Sequence, residues 1–196
     1  SGEAMDRLAD AAVAAMGRVD ILVLNHGGPP QCTASEMTEA QLVTWFQHIV
    51  VSPIRIANRL LPAMRARGWG RIIVVGSTGM QQPIPNLALS NTLRASIWAW
   101  LKTMSGEVAK DGVTVNCILP GYTKTERVVH LNTATAEREG VSVETVRART
   151  EAQIPMGRMG EPQEFGALAA FLVSERASYI TGQSVAVDGG WIRGLY

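Results

Sequence analysis

Short runs of β-branched and aliphatic residues alternate with longer helix-like segments along this chain, and this alternation restricts the fold more than any other feature. Four runs are typical of strands: residues 19–24, 70–76, 112–119 and 184–187. The apolar character of the first run is typical of a parallel strand covered on both faces. The sequence therefore predicts an α/β fold, in which one parallel sheet carries helices on both sides.

Helical periodicity fills most of the intervals between the predicted strands. Predicted helices cover residues 5–16, 35–67, 86–110, 143–153 and 162–173. Gly17 would end the first helix, and Thr38, three residues before Gln41, is a candidate N-cap. The rest of the interval from Tyr122 to Ile154 is polar and has no clear pattern.

The composition limits the classes of function. The chain has 196 residues, of which 46% are hydrophobic and 18% charged, with a net charge of +1. We expect one domain spanning residues 1–196, with no nucleic-acid-binding or membrane-binding surface. Two cysteines are too few for a disulfide framework, so we expect free thiols and a cytoplasmic protein. We predict no metal site.

The C-terminal segment carries a recognisable set of glycines, acidic residues and one proline. It runs from Met156-Gly-Arg-Met-Gly-Glu-Pro to Ala177-Ser-Tyr-Ile-Thr-Gly and Asp188-Gly-Gly. This segment resembles the C-terminal signature of the short-chain dehydrogenase/reductase family, and the nearest group is the 3-oxoacyl-thioester reductases. The resemblance covers nearly all of the chain. It implies a doubly wound, Rossmann-like sheet, of which this chain holds the C-terminal part. It also implies hydride transfer between NAD or NADP and a small carbonyl or alcohol substrate.

The same resemblance places the family's catalytic positions. Ser77 follows the second strand, where the family keeps its catalytic serine. The positions of the family's tyrosine and lysine hold Ser90 and Arg94, and its asparagine corresponds to Ile49. The implied catalytic set is therefore altered to Ser77, Ser90 and Arg94.

Two turns are implied to contact the cofactor. Asn25 and Gly27 lie where the family has its Asn-Asn-Ala-Gly turn, although His26 departs from that motif. Pro120-Gly121 and Thr125 correspond to the loop beside the nicotinamide. Arg94 would hold the nicotinamide ribose.

The altered set leaves the source of the proton open. A lysine normally lowers the pKa of the family's tyrosine, whereas a serine hydroxyl is a much weaker acid and an arginine does not release its proton. Tyr122 could supply a phenol and His26 an imidazole, although each also suits a structural role. The alternative to an enzyme is a catalytically silent binding or assembly module.

The family's Gly-rich dinucleotide loop is not in this sequence. We expect weaker dinucleotide binding for that reason, because the pyrophosphate normally rests on the helix that follows this loop. The first half of the sheet is either natively absent or was removed, and the polar start before a helix favours removal. The first strand would then be an exposed edge, so we expect a dimer or tetramer that forms through this edge or through the long helices.

Overall fold

The computed structural model describes residues 2–195, which form a four-stranded parallel sheet with helices on both faces. The strands are β1 (Ile21–Leu24), β2 (Gly70–Val75), β3 (Val113–Pro120) and β4 (Ser184–Val187), and they are ordered β1-β2-β3-β4. The helices are α1 (Gly2–Met16), α2 (Glu39–Phe46), α3 (Ser52–Arg67), α4 (Ala88–Val108), α5 (Glu126–Glu139), α6 (Val143–Gln153) and α7 (Pro162–Leu172). The predicted α/β, Rossmann-like fold is confirmed.

The sheet separates two apolar cores because successive side chains of a strand point to opposite faces. On one face, Ile72 and Val74 of β2 pack with α3 and α4. On the other face, Ile73 of β2 and Ile118 of β3 pack against α7. Strands β2 and β3 are therefore covered on both faces, which explains why most of their residues are apolar.

The segment predicted as one helix over residues 35–67 is divided in the structure. Thr38 caps α2 as predicted, because its hydroxyl accepts from the backbone of Gln41 and the Gln41 side chain accepts from the backbone of Thr38. Helix α2 then passes through a π-helical turn, Gln47–Val51, into α3. The hydroxyl of Ser52 donates to the Gln47 carbonyl at 2.8 Å, and Pro53 lies in the first turn of α3, directly after the π-helical turn.

Helix α5 was not predicted. Its buried positions include Asn132, so the stripe that faces the protein is not purely apolar and its periodicity is weak. Gly140 ends the helix in the left-handed conformation, with φ of 66°. Helix α6 follows at the predicted bounds, after a Ser142 side-chain cap.

One edge of the sheet is open at β1. Ile21 and Val23, on the same face of this strand, are 45% and 52% exposed. Beside them an apolar groove of about 350 Å³ runs between β1, α1 and α3. Helix α1 is held on α3 by two ion pairs, Asp6–Arg55 at 2.5 Å and Asp10–Arg59 at 2.8 Å. Within residues 2–195, no helix is long and apolar enough to cross a membrane.

Several side chains under the sheet's carboxyl end are tightly packed. Cys117 on β3 is fully buried, and burial raises the pKa of its thiol to about 12. A Cβ at Gly76 would lie 2.7 Å from the Cys117 sulfur, so only glycine fits at the end of β2. Trp98 and Trp100 of α4 are partly buried against the main core, which supports a packing role for them.

Candidate active site

A cavity of about 620 Å³ lies at the carboxyl ends of the strands. In parallel α/β sheets this edge is where ligands bind, because the loops that follow the strands surround a common crevice. The walls are the turns after β1, β2 and β3, the first turn of α4 and one face each of α5 and α6. All the predicted site residues line it: Asn25, Gly27, Ser77, Ser90, Arg94, Pro120, Gly121 and Thr125.

Arg94 connects two strand ends at the floor of this cavity. Its Nη1 donates to the carbonyl of Val75 at 2.8 Å, and its Nη2 donates to the carbonyl of His26 at 3.0 Å. The side chain is only 8% exposed. Burial lowers the pKa of Arg94; the neighbouring Cys117 thiol opposes this and the charge of Arg127 adds to it. A guanidinium nevertheless stays protonated at neutral pH.

The two serines of the predicted set have different surroundings. Ser77 is the N-cap of a short 3₁₀ turn, and its Oγ accepts from the backbone N–H of Gly79 at 3.1 Å. Ser90, in the first turn of α4, is 8% exposed and lines the cavity. Within the described part of the chain, no protein group hydrogen-bonds to the Ser90 hydroxyl, so this hydroxyl can serve a ligand.

The turn after β1 is covered by a side chain from α5. Arg127 donates from Nη2 to the Pro29 carbonyl at 2.8 Å. A Cβ at Gly28 would lie 2.9 Å from the same Nη2, whereas a Cβ at Gly27 would meet nothing within 4 Å. Gly28 therefore lets the guanidinium lie against the backbone of the turn.

The turn after β3 is fixed to the end of β4. The N–H of Gly121 donates to the Val187 carbonyl at 3.0 Å. A Cβ at Gly121 would lie 2.6 Å from the Cα of Asp188, which is backbone and cannot move aside. Thr125 follows as the N-cap of α5, and its hydroxyl donates to the Thr123 carbonyl at 3.4 Å.

A short bridge joins two loops at the far side of the cavity. Cys32 pairs with Leu87, through bonds from Cys32 N to Asn86 O at 3.0 Å and from Ala88 N to Cys32 O at 3.2 Å. Asn91, next to Ser90, holds the second loop by donating to the Ile84 carbonyl at 3.0 Å. Neither Arg127 nor Asn91 was identified from the sequence. Arg127 contacts Pro29, which is remote in the chain, and Asn91 contacts Ile84 in a loop without a sequence pattern.

The two alternative proton donors also lie at the cavity. Tyr122 packs edge-on against Trp191, with ring centroids 5.8 Å apart, and burial raises the pKa of its phenol. The Nδ1 of His26 lies 2.6 Å from the Gly27 carbonyl, which requires the hydrogen on Nδ1. The same ring stacks on His48 at 5.7 Å. His26 is thus engaged in local structure, and Tyr122 is neutral at physiological pH.

The residues present offer hydrogen-bonding groups to a nicotinamide ribose, but fewer to the pyrophosphate of a dinucleotide. The free Ser90 hydroxyl, the buried Arg94 and Thr125 offer polar groups at the strand ends. The described residues contain no Gly-rich turn between a strand and a helix of the kind that holds a pyrophosphate. Among residues 2–195, no cluster of three or more His, Cys, Asp or Glu side chains could hold a metal ion.

The fold and the position of this cavity are those of doubly wound α/β proteins, which bind ligands at the carboxyl ends of their strands. The family model described as Enoyl-(Acyl carrier protein) reductase matches residues 1–192. The NADPH-dependent reductase BacG of Bacillus subtilis is 32% identical over 184 residues, which cover 91% of this chain and 69% of that protein. The 3-oxoacyl-[acyl-carrier-protein] reductase FabG of Vibrio cholerae is 33% identical over 188 residues, covering 96% and 72%.

Solved structures agree with these sequence matches. The crystal structure of YwfH, an NADPH-dependent reductase of bacilysin biosynthesis, superposes with a TM-score of 0.93 at 28% identity, covering 100% of this chain and 75% of that one. L-sorbose reductase of Gluconobacter frateurii, solved with NADPH and L-sorbose, gives 0.92 at 31%, covering 100% and 74%. The chain belongs to the short-chain dehydrogenase/reductase family and is similar to its 3-oxoacyl reductases.

Proposed function

We propose that this chain is an NAD(P)-dependent reductase with an altered catalytic set, which interconverts a small carbonyl compound and its alcohol. The observation that carries this proposal is the position of Ser77, Ser90 and Arg94. All three line one cavity at the carboxyl edge of the sheet. The names of relatives such as the NADPH-dependent reductase BacG support the reaction class.

Each residue has a distinct role in this proposal. A reduced nicotinamide, when bound, would supply the hydride for the carbonyl carbon. The Ser77 hydroxyl donates a hydrogen bond to the carbonyl oxygen of the substrate. Its own oxygen can still accept from the backbone N–H of Gly79. Arg94 holds the ribose and places positive charge near the oxygen as negative charge develops there.

The proton that completes the alcohol is the step most changed by the substitutions. The Ser90 hydroxyl lies at the position of the family's tyrosine, but it is too weak an acid to release a proton alone. We propose that Ser90 positions the substrate oxygen and that the proton comes from water. Tyr122 is the second source. Burial raises the pKa of its phenol, which keeps the phenol protonated and also makes it a weaker proton donor than an exposed tyrosine.

The cofactor contacts follow the walls of the cavity. Asn25 and Gly27 would line the adenosine side, and Pro120, Gly121 and Thr125 would line the nicotinamide side. Either NAD or NADP suits this part of the site. We further propose that residues 1–196 act as a single domain in the cytoplasm and that the chain associates with itself.

A silent binding module is the second candidate. Two observations favour it. Ser90 and Arg94 stand at the positions of the family's tyrosine and lysine, and both terminal nitrogens of Arg94 already donate to backbone carbonyls. In such a module the cavity would bind a ligand without turning it over.

Equilibrium binding of the cofactor tests the reductase proposal. NADH and NADPH are titrated into the chain while nicotinamide fluorescence is followed, and the titration is repeated with Arg94→Lys and Arg94→Ala. We expect micromolar binding by the natural chain, partial retention with lysine and loss with alanine. Thermal denaturation of both variants separates unfolding from loss of binding. Absence of binding with millimolar amounts of either cofactor would overturn the reductase proposal.

A further inference from the structure

The cavity is lined by positive charges and, within residues 2–195, by no negative ones. Three arginines line it: Arg94, Arg127 and Arg138. No aspartate or glutamate among residues 2–195 is part of its lining. A concave, partly desolvated surface with one sign of charge raises the local concentration of ligands of the opposite sign.

The three arginines are not equivalent. Arg127 and Arg138 lie on the same face of α5, but a separation of 11 residues places their backbones about 16 Å apart along the axis. Arg138 lies 3.6 Å from the carboxylate of Glu139 and also donates to the Gln31 side chain at 3.0 Å. Its charge is therefore partly neutralised by the protein itself.

Arg94 and Arg127 lack such compensation. Throughout residues 2–195, no carboxylate forms an ion pair with either side chain. The two charges are close enough for Arg127 to oppose the protonation of Arg94. Arg94 is buried and Arg127 is exposed. An anion between two positive charges that repel each other stabilises both.

The protein also fixes the position of Arg127. Among residues 2–195, the one contact of its guanidinium with a hydrogen-bond acceptor runs from Nη2 to the Pro29 carbonyl at 2.8 Å. Gly28 provides the space in which the guanidinium lies, because a Cβ there would approach Nη2 to 2.9 Å and Cζ to 3.2 Å. A planar guanidinium held in this way presents its remaining N–H groups for two-point contact with an oxyanion.

We propose that Arg127 and Arg94 form an oxyanion-binding site inside the cavity, which takes either a carboxylate next to the substrate's carbonyl or a phosphate group of the cofactor. This assignment rests on the proposed reductase function for the origin of the ligand. Arg127 is then a binding residue of this chain, additional to the set implied by the family resemblance. Neutral analogues of the ligand bind more weakly because they leave both charges without a partner.

Direct binding measurements test this site without turnover. Isothermal titration uses inorganic pyrophosphate as the probe for a cofactor phosphate. For the substrate carboxylate it uses 2-oxobutanoate, with methyl 2-oxobutanoate as the neutral analogue. We expect at least one oxyanion to bind, the methyl ester to bind more weakly, and Arg127→Gln to weaken the oxyanion about tenfold or more. The matched control is Arg147→Gln, which removes the same charge from an exposed position of α6 outside the cavity.

A second variant keeps the charge and changes the geometry. Gly28→Ala retains Arg127 but displaces its guanidinium from the turn, so we expect it to weaken the same oxyanion. Which probe responds identifies the source of the oxyanion. If neither oxyanion binds the natural chain, or if Arg127→Gln behaves like Arg147→Gln, the site does not exist. If the oxyanion results hold while NADPH fails to bind, the reductase proposal fails and the anion site stands.

Discussion

Arg94 has a structural task that the family resemblance did not reveal. Its two terminal nitrogens hold the Val75 and His26 carbonyls, so it fixes the ends of β2 and β1 against each other. Bonds from a charged donor to buried acceptors each contribute about 1.5–3 kcal/mol. The same side chain that faces the ligand therefore also maintains the crevice.

Single positions in the site could be predicted to different degrees. The spacing of Ser77, Ser90 and Arg94 relative to the family pattern placed them at one edge of the sheet, and the structure brings them to one cavity. Arg127 could not be found in this way, because its contact with Gly28 joins residues 99 positions apart through a helix that the pattern did not indicate.

Gly121→Ala tests the close approach of the turn after β3 to β4. The added Cβ would lie 2.6 Å from the Asp188 Cα. We expect the free energy of unfolding to fall by about 1–3 kcal/mol, as for other overpacked sites. Urea denaturation measures it. The control is Gly27→Ala, where a Cβ meets nothing within 4 Å, so its stability should stay near that of the natural chain. Equal stabilities for the two variants would contradict the steric account.

The sequence predicted those helices and strands whose apolar stripe is continuous, and it did not predict those whose stripe is interrupted. All four strands were predicted to within two residues at each end. Helix α5 was missed because it buries Asn132 and Ala136 rather than a row of large apolar side chains. The π-helical turn after α2 was also missed, since its five residues are compatible with an ordinary helix.

The start of α7 carries a pH-dependent contribution to stability. Glu164 accepts from Arg158 at 2.7 Å and 2.9 Å and from the backbone N–H of Glu161 at 2.8 Å. The hydrogen bond from Arg158, with smaller help from the Glu161 backbone, lowers the pKa of Glu164 from 4.5 to about 2. A lowered folded-state pKa means that this stabilisation is complete above about pH 4.5 and is lost as the pH falls towards 2.

Glu164→Gln should therefore lower the melting temperature at neutral pH but change it little near pH 2. Thermal melts followed by circular dichroism at both pH values measure this difference. Glu137→Gln is the control, because in the described structure its exposed carboxylate forms no ion pair. An equal effect of Glu164→Gln at both pH values would show that the carboxylate charge is not the cause.

At the scale of the whole molecule, the sheet topology was predictable and the shape of the cavity was not. Helices that alternate with short, mostly apolar strands leave few arrangements besides a parallel sheet. The cavity depends on contacts between distant loops, such as the bridge from Cys32 to Leu87, which leave no periodic signal in the chain.

We predict self-association, and the exposed edge of β1 is its first candidate surface. Light scattering should give a mass at least twice that of one chain. Val23→Lys, on the open edge strand, should reduce that mass because a lysine there disfavours edge pairing. Val43→Lys, at a position of α2 that is 55% exposed, tests the long-helix alternative. A monomeric natural chain, or a mass unaffected by both substitutions, would refute the prediction.

The two thiols differ in a way that provides a practical tool. Cys117 is fully buried next to Gly76, whereas Cys32 is half-buried and adjoins Gln31 at the cavity wall. A maleimide dye should thus attach at one place only, without any prior mutagenesis. That dye would lie at the edge of the cavity, and we expect its fluorescence to change when a ligand binds there.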